Sequence, residues 1–343
     1  MTYDYTIEPQ KEDPLVRVVD EALEYFSEAA VPGKWIVDIM PFLEILPEWF
    51  PGVQFQKTAR SWKRATMAMV EEPYAYVKRQ MDLRSNDVSY VSKMLEQYES
   101  DLSPEDEHAI KWTAATLYGA GADTSVSTLT SFFLAMSVCP GVQKKAQEEI
   151  DRVVGKSRLP TFSDRENLPY VEAIVKEILR WLPVAPLGMP HAADEENLFR
   201  GYRIPKGSVI LPNVWWFTHD PATYHEPMQF IPERYFEPYN EPYPDMIWGY
   251  GRRACVGRAF ADASIYLTCV QSLAVFDVRK AVDEMGKEIE PKIHLQGGAI
   301  AHPAPFKCRI SPRSERHESL IDTTMSKHPW EESHAKYILS MKA

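Results

Sequence analysis

The amino-acid sequence predicts a mainly α-helical fold with a small β portion. Apolar residues recur at helical spacing through the first half of the chain, and one later run, Pro104 to Val138, continues without a further proline. Short strand-like pieces beside turn residues follow between positions 200 and 213 and after position 288. With 343 residues, 45% of them hydrophobic, the chain is long enough to bury a packed core.

The first half of the chain is predicted to consist of helices joined by a proline-broken segment. Residues 14–29 place apolar side chains at helical spacing, and residues 57–83 and 87–98 form two further amphipathic runs. Residues 40–53 are apolar but interrupted by prolines, so a loop or short turns are expected there.

A long helix is predicted to begin at Pro104. Ser103 can cap it, Pro104 suits the first helical position, and Asp106 stands where a capping box has its acid. The run ends before Pro140. A helix of this length spans about 50 Å at a rise of about 1.5 Å per residue.

The second half of the chain changes from helical to irregular. Residues 200–213 indicate two short strands around a proline-lysine-glycine turn, and residues 220–247 are rich in proline and aromatic residues and mostly irregular. The tail after residue 288 holds strand-like pieces around a pair of glycines and then a polar end. Three further helices are expected over 141–154, 168–182 and 258–276.

Composition excludes several functional classes. The net charge of -11 and the pI of about 5.4 argue against nucleic-acid binding, because proteins that bind nucleic acids typically carry a basic surface. The four cysteines include no C-x-x-C pair, so neither a zinc site nor a thioredoxin-like motif is predicted. Few cysteines, widely spaced in the sequence, are typical of a reducing compartment.

The opening residues are polar and acidic, unlike a signal peptide. The most apolar stretch, 112–138, carries Asp123 and several hydroxyl residues, which favours a buried helix over a transmembrane anchor.

A glycine-rich turn at 248–257 carries the strongest chemical signal. Its sequence, W-G-Y-G-R-R-A-C-V-G, places Cys255 in a tight loop just before a predicted helix. Free N–H groups at a helix N-terminus stabilise a thiolate, and a thiolate is a soft ligand for iron. Glycines such as Gly249 permit backbone conformations and close approaches that other residues do not. Taken alone, the turn also fits a buried structural cysteine.

The same turn resembles the F-x-x-G-x-R-x-C-x-G signature of the cytochrome P450 family. Trp248 stands at the position of the usual Phe, and Val256 at that of a common Pro, and both are apolar. The resemblance implies that Cys255 is the axial ligand of haem b iron, that Trp248 and Gly249 lie beside it, and that Arg253 contacts a haem propionate.

Two further segments match the family in the expected order. Glu177 and Arg180 form an E-x-x-R motif, whose side chains share one helix face, and Arg234 lies in a P-E-R-Y segment similar to the family's P-E-R-F, with Tyr235 as the departure. The resemblance implies a buried structural triad of Glu177, Arg180 and Arg234. Such a triad requires all its partners, because an unpaired buried charge is costly.

The long helix carries A-G-A-D-T-S at 120–125, which resembles the family's A-G-x-D-T-T motif. The resemblance implies that Asp123 and Thr124 deliver protons in oxygen activation. It also implies that His191 meets the second propionate. The expected substrate contacts are small or apolar residues: Ala115, Gly119, Ala120, Val184, Ala185, Leu187, Ala299 and Ile300.

The resemblance extends along the chain but not over the whole family fold. It implies a single partial cytochrome P450 domain that lacks the N-terminal part of the fold, including the W-x-x-x-R helix. Its parts are the roof helices at 1–100, the oxygen-activation helix at 104–138, the E-x-x-R helix at 168–182 and the ligand loop at 248–257.

The implied function is a haem-dependent monooxygenase that oxidises a small apolar molecule with O2 in fungal secondary metabolism. Electrons would come from an NADPH-cytochrome P450 reductase docking near Arg252 and Arg258. Family resemblance places the protein at the cytoplasmic side of the endoplasmic reticulum, with the cytoplasm as the alternative. Two other functions stay open: a truncated fragment that binds haem poorly and is inactive, and a haem-thiolate isomerase or dehydratase, which typically lacks a residue like Thr124.

Overall fold

A computed structural model describes residues 1–31, 33–47, 49–83, 88–98 and 101–342. The chain forms two compact units, here called the first unit (Met1–Asp123 with Trp330–Ala343) and the second unit (Thr124–Pro329).

The described residues form helices and short strands, which confirms the prediction of a mainly α fold with a small β portion. The helices are α1 (Pro14–Ala29), α2 (Ile36–Ile39), α3 (Phe55–Asp82), α4 (Tyr90–Tyr98), α5 (Pro104–Val138), α6 (Pro140–Val153), α7 (Pro169–Trp181), α8 (Val214–His219), α9 (Arg258–Val275), α10 (Glu315–Lys327) and α11 (Ala335–Lys342). The strands are β1 (His191–Ala192), β2 (Asn197–Phe199), β3 (Tyr202–Ile204), β4 (Val209–Ile210), β5 (Phe276–Lys280), β6 (Leu295–Gly297), β7 (Ala301–Pro303) and β8 (Cys308–Pro312).

The first unit is built around α1 and α3. The Asp13 carboxylate caps α1 by accepting hydrogen bonds from the N–H groups of Leu15 at 2.8 Å and Val16 at 3.1 Å. The apolar face of α1 then packs against α3 and α5, with Val19, Ala22 and Leu23 buried. The predicted helix over 14–29 is confirmed.

The predicted helices 57–83 and 87–98 correspond to α3 and α4, although residue 87 lies outside the described residues. Pro73 lies inside α3 and is buried. The proline-broken segment at 40–53 contains a 3-10 turn at Pro41–Ile45, as expected for short turns, and the short α2 precedes it.

Helix α5 passes from the first unit into the second. At its start the Ser103 hydroxyl donates to the Asp106 carboxylate at 2.7 Å and accepts from the Asp106 N–H at 3.1 Å. The predicted start at Pro104 and end before Pro140 are confirmed. Within the described ranges, no single helix is both long and apolar enough to cross a bilayer. The pair α5 and α6, bent by 103°, meets that test only together, by length and composition.

The core of the second unit lies between the later part of α5 and helices α6, α7 and α9. These helices bury one continuous apolar cluster that includes Phe132, Ile150, Ile174, Ile178 and Val270. Helix α9 passes directly into β5, because its C-cap residue Phe276 is already extended.

The strands form four antiparallel pairs: β1 with β4, β2 with β3, β5 with β8, and β6 with β7. Two strands were expected around the turn at 205–207, and β3 and β4 lie there. They do not pair with each other. His191 on β1 pairs with Ile210 on β4, and Phe199 on β2 with Tyr202 on β3. β1 and β2 were missed, because each has only two or three exposed residues and neither flanks the turn at 205–207 that indicated β3 and β4.

The polar end of the chain forms two helices, α10 and α11, which were not predicted. Acidic residues in the first turn of α10 and Lys327 in its last turn were sequence signals for this helix. In the first unit, Ile338 of α11 is buried in an apolar cluster with Tyr76 and Val77. Thr6 is bonded twice to His334, by its N–H to the ring Nδ1 at 3.1 Å and by its carbonyl to the backbone N–H at 2.9 Å.

Candidate functional site

The loop before α9 holds Cys255 in a turn that requires glycine. Gly249 has φ 79° and ψ -166°, a conformation that side chains disfavour, and a Cβ there would lie 3.5 Å from the carbonyl oxygen of Arg253. The Cys255 N–H donates to the Trp248 carbonyl at 2.7 Å and closes the turn. The glycine turn therefore holds the backbone of Cys255 against that of Trp248.

Cys255 differs from the other three cysteines in exposure. Its thiol is exposed three residues before α9, whereas Cys269 is buried and Cys139 and Cys308 are half-buried. Burial raises the pKa of the Cys139 thiol to about 11, and it raises the pKa of Cys269 and Cys308 as well. These three thiols are therefore poor ligands, and Cys255 is the cysteine suited to bind a metal.

Trp248 forms the buried base of this loop. Its indole N–H donates to the Tyr243 hydroxyl at 2.6 Å, and the Arg258 guanidinium lies 5.7 Å from the ring centroid. Arg258 also pairs with Asp245 at 2.7 Å. The charge of Arg258 is thus matched locally, which weakens its expected part in reductase docking.

The residues around Cys255 fit a flat, largely apolar group with an anionic edge. Val256 is 90% exposed and Phe260 53% exposed, so apolar side chains stand open beside the thiol. Arg253 is exposed in the Gly251–Arg253 turn, and His191 is exposed on β1, so both basic side chains are accessible. The described contacts join neither of them to Cys255. An exposed thiol, open apolar surface and accessible basic groups fit a haem held by a cysteine thiolate.

The second unit also buries an ionic cluster around Glu177. Glu177 and Arg180 are fully buried and Arg234 nearly so. The Glu177 carboxylate accepts bonds from Arg180 Nε at 2.8 Å and Nη2 at 2.9 Å, and from Arg234 Nε at 3.1 Å. The Ile231 N–H adds a bond at 2.8 Å. The structure thus brings together the three residues of the expected triad.

Two members of the cluster were missed by sequence reasoning. Glu241 pairs with Arg234, so two carboxylates face two guanidinium groups and the buried charges balance. The Tyr235 hydroxyl donates to Glu177 at 3.2 Å. In the sequence, Tyr235 stands out only as a departure from the family motif. Glu241 has no local signal, because the fold of the segment after Arg234 brings the two side chains together.

The remaining donors of the two arginines bind backbone carbonyls. Arg180 donates to the carbonyls of Thr218 at 2.9 Å and Pro227 at 2.7 Å, and Arg234 to that of His225 at 2.7 Å. These bonds fix the irregular segment between α8 and the Cys255 loop. The side chains of the cluster therefore hold in place a segment that has little regular secondary structure.

His219 lies beside this cluster and is held neutral. Burial lowers the pKa of His219 to about 4, and the positive charge of Arg180 adds to the effect. Its Nδ1 lies 2.8 Å from the Trp215 carbonyl oxygen, and its ring stacks on the Trp215 ring. A neutral histidine avoids adding a third buried positive charge to Arg180 and Arg234.

The two expected proton-delivery residues are adjacent on α5, with Asp123 at the end of the first unit and Thr124 at the start of the second. The Thr124 carbonyl accepts the Thr128 hydroxyl at 3.0 Å. Within the first unit, Ala115 is buried in the cluster with α1 and α3, and a Cβ on Gly119 would lie 3.3 Å from Leu23.

The other expected substrate contacts lie in the second unit, except for Ala120, which is exposed on α5 in the first. Leu187 is exposed, Ile300 is buried, and the intermediate residues are Val184, Ala185 and Ala299. Their assignment to substrate stays a prediction.

Comparison with known proteins identifies the family. The family model described as cytochrome P450 matches residues 7–309. The multifunctional cytochrome P450 monooxygenase af510 of Aspergillus fumigatus is 48% identical over 98% of this chain and 65% of its own length. The cytochrome P450 monooxygenase claR of Ampulloclitocybe clavipes is 46% identical over 94% of this chain and 60% of its own length.

A more distant relative, the O-methylsterigmatocystin oxidoreductase of Aspergillus flavus, is 38% identical over 98% of this chain and 63% of its own length. The chain thus spans somewhat less than two thirds of the length of these curated relatives. The family match and the identities agree along nearly the whole chain, and the chain belongs to the cytochrome P450 family.

Proposed function

We propose that this chain binds haem b through the thiolate of Cys255 and, with O2 and electrons from an NADPH-cytochrome P450 reductase, oxidises a small apolar molecule. The observation that carries the proposal is the contrast among the four thiols. Cys255 alone of them is exposed, in a glycine turn before α9, whereas burial raises the pKa of each of the others.

Haem binding is assigned to residues of the second unit. Cys255 would hold the iron, Trp248 and Gly249 would form the floor under the ligand loop, and Arg253 and His191 would neutralise the propionates. When bound, haem supplies the activation of molecular oxygen, and thiolate ligation favours cleavage of the O–O bond. The buried cluster of Glu177, Arg180 and Arg234 is proposed to have a structural role.

Proton delivery is assigned to Asp123 and Thr124 on α5. The Asp123 carboxyl group would exchange protons with solvent, and the Thr124 hydroxyl would hold a proton for transfer at its Oγ1. A hydroxyl suits this role because it can accept one proton while it donates another. Thr124 also favours oxygen activation over isomerase or dehydratase chemistry.

The substrate is proposed to be a small apolar secondary metabolite. In the second unit the assigned contacts are Val184, Ala185, Leu187, Ala299 and Ile300, which offer alkyl surface. A relative named O-methylsterigmatocystin oxidoreductase and the other fungal monooxygenases support this class by analogy. The reductase would dock near Arg252 and Arg258, of which Arg258 also pairs with Asp245, at the cytoplasmic side of the endoplasmic reticulum.

The test is the spectrum of the haem-loaded chain, reduced under carbon monoxide. A strongly red-shifted Soret band, typical of thiolate ligation, is expected. Cys255→Ser should abolish the band, whereas Cys139→Ala, Cys269→Ala and Cys308→Ser should keep it. A band that survives in Cys255→Ser would refute the ligand assignment. A parent chain that takes up no haem would instead favour the haem-poor alternative.

A further inference from the structure

The backbone of Ala301 joins three segments of the second unit. The Ser127 hydroxyl on α5 donates to the Ala301 carbonyl at 2.7 Å, and the Ala301 N–H donates to the Val184 carbonyl at 2.8 Å. Ser127 is fully buried and Ala301 is 3% exposed, so water does not compete for these bonds. The two hydrogen bonds made by the backbone of Ala301 therefore connect strand β7 to α5 and to the segment after α7.

The three joined segments are those assigned to the substrate or to proton delivery. Ser127 lies three residues after Thr124, Val184 is itself an assigned contact, and Ala301 directly follows Ile300. A shift of Ala301 would move the neighbouring contact residue with it. The bond from Ser127 thus couples the position of this contact to the helix that carries Thr124.

The turn that carries Ile300 is short and tightly closed. Gly297 pairs with Ala301 across β6 and β7. Gly297 has φ 114°, and a Cβ there would lie 2.7 Å from the Ile300 carbonyl oxygen. Gly297 therefore lets the turn close tightly against Ala301, and the placement of the turn depends on where Ala301 is anchored.

Neighbouring hydroxyl residues on α5 bond differently from Ser127. The hydroxyls of Thr128, Thr130 and Ser131 donate to carbonyls four residues earlier in the same helix. This is the ordinary way in which a helix satisfies such side chains. Ser127 instead donates to a carbonyl 174 residues away in sequence. Its hydroxyl has a tertiary partner that its neighbours lack.

We propose that Ser127 is a positioning residue that holds the turn at Ala299–Ile300 in place and thereby limits the size of the ligand that the protein admits. The inference rests on the proposed function, because that function assigns the turn to the substrate. Ser127 acts through Ala301 and needs no contact with the ligand itself. Loss of its hydroxyl frees the turn, and the discrimination between small and bulky ligands falls.

The first test is hydrogen exchange of backbone amides in Ser127→Ala, with Ser131→Ala as the matched control. Ser131 is equally buried and one turn further along α5, but its hydroxyl bonds back to Ser127. Ser127→Ala should speed exchange over residues 299–303, and Ser131→Ala should not. Equal exchange in the two variants would overturn the proposal. Because this measurement needs no haem, it is independent of the proposed function.

The second test is a spectral titration of the haem-loaded variants with imidazole and with the bulky azole clotrimazole. In Ser127→Ala the affinity for clotrimazole should rise about fivefold relative to imidazole, the ratio that corresponds to one hydrogen bond. Ser131→Ala should keep the ratio of the parent chain. An unchanged ratio, or one that moves the other way, in folded Ser127→Ala would overturn the proposal.

A third variant guards against misfolding. Ser127→Cys keeps nearly the same volume but offers a much weaker donor. If Ser127→Ala does not fold, Ser127→Cys should show the same direction of change in exchange and in the azole ratio, at smaller size. Parent-like behaviour in both measurements would overturn the proposal. Failure of the proposed function would show elsewhere, as a missing carbon monoxide band in the parent chain.

Discussion

The Tyr235 hydroxyl donates a hydrogen bond to the Glu177 carboxylate at 3.2 Å, so the residue that departs from the family's P-E-R-F motif becomes a member of the buried ionic cluster. Burial raises the pKa of Tyr235, and the hydroxyl remains a donor. Glu177 thereby gains a neutral donor in addition to Arg180 and Arg234. A position at which the family usually has Phe thus carries a polar contact here.

Replacing Glu177 with glutamine should destabilise the protein strongly. The substitution leaves Arg180 and Arg234 buried with one negative partner, Glu241, and removing one member of a buried ion pair costs about 3–5 kcal/mol. The free energy of unfolding in urea measures the loss. Glu148→Gln is the control, because its pair with Lys144 is exposed and spans 3.9 Å. Equal stabilities of the two variants would contradict the role given to the cluster.

Replacing Tyr235 with phenylalanine should have a smaller effect. The ring stays and one hydrogen bond to a carboxylate is lost, which costs about 1.5–3 kcal/mol at most for a charged acceptor. The same urea titration measures it. Tyr239→Phe is the control, since Tyr239 is exposed. A variant as stable as the parent chain would show that Glu177 is saturated by its arginine partners.

The stability of the protein should fall as the pH is lowered from about 6.5 toward 4, in part through His219. Its folded-state pKa of about 4 lies below the ordinary value of 6.5, so in this window the unfolded chain binds a proton that the folded chain does not. The full difference corresponds to roughly 3 kcal/mol. Unfolding at pH 7 and pH 4.5 should show a smaller pH dependence for His219→Gln than for the parent chain. Identical slopes would rule out this contribution.

Replacing Gly249 with alanine should weaken haem retention. A Cβ at φ 79° and ψ -166° is strained, and such strain costs about 1–3 kcal/mol. Haem loss to an apo-globin acceptor should therefore be faster in Gly249→Ala. Gly141→Ala is the control: Gly141 lies in α6, and a Cβ there meets no atom within 4 Å. Slower or unchanged haem loss in Gly249→Ala would contradict the structural role of this glycine.

Local signals predicted those parts of the fold that local interactions determine. Helix α1 begins at Pro14 because Asp13 caps it, and α5 begins at Pro104 because Ser103 and Asp106 bond to each other. The E-x-x-R spacing placed Glu177 beside Arg180 for the same reason, since residues three apart share a helix face. Each of these relationships lies within one turn of helix.

Relationships between distant segments could not be predicted in this way. Glu241 balances Arg234 because an irregular segment returns toward it, and Ser127 meets Ala301 because a hairpin far along the chain packs on α5. Strand β1 is too short to show a period, and its partner β4 follows only after the whole β2–β3 hairpin. Their pairing depends on tertiary structure that the sequence pattern does not encode locally.

Helix α9 begins three residues after Cys255 and passes without a loop into β5, which pairs with β8 from Phe276 opposite Pro312. No loop lies between α9 and β5 that could accommodate a residue added to or deleted from this helix. Each such change would rotate the end of α9 near Cys255 by about 100° relative to β5. If the change were taken up in β5 instead, it would exchange the inner and outer faces of that strand. The length of α9 is therefore constrained from both of its ends.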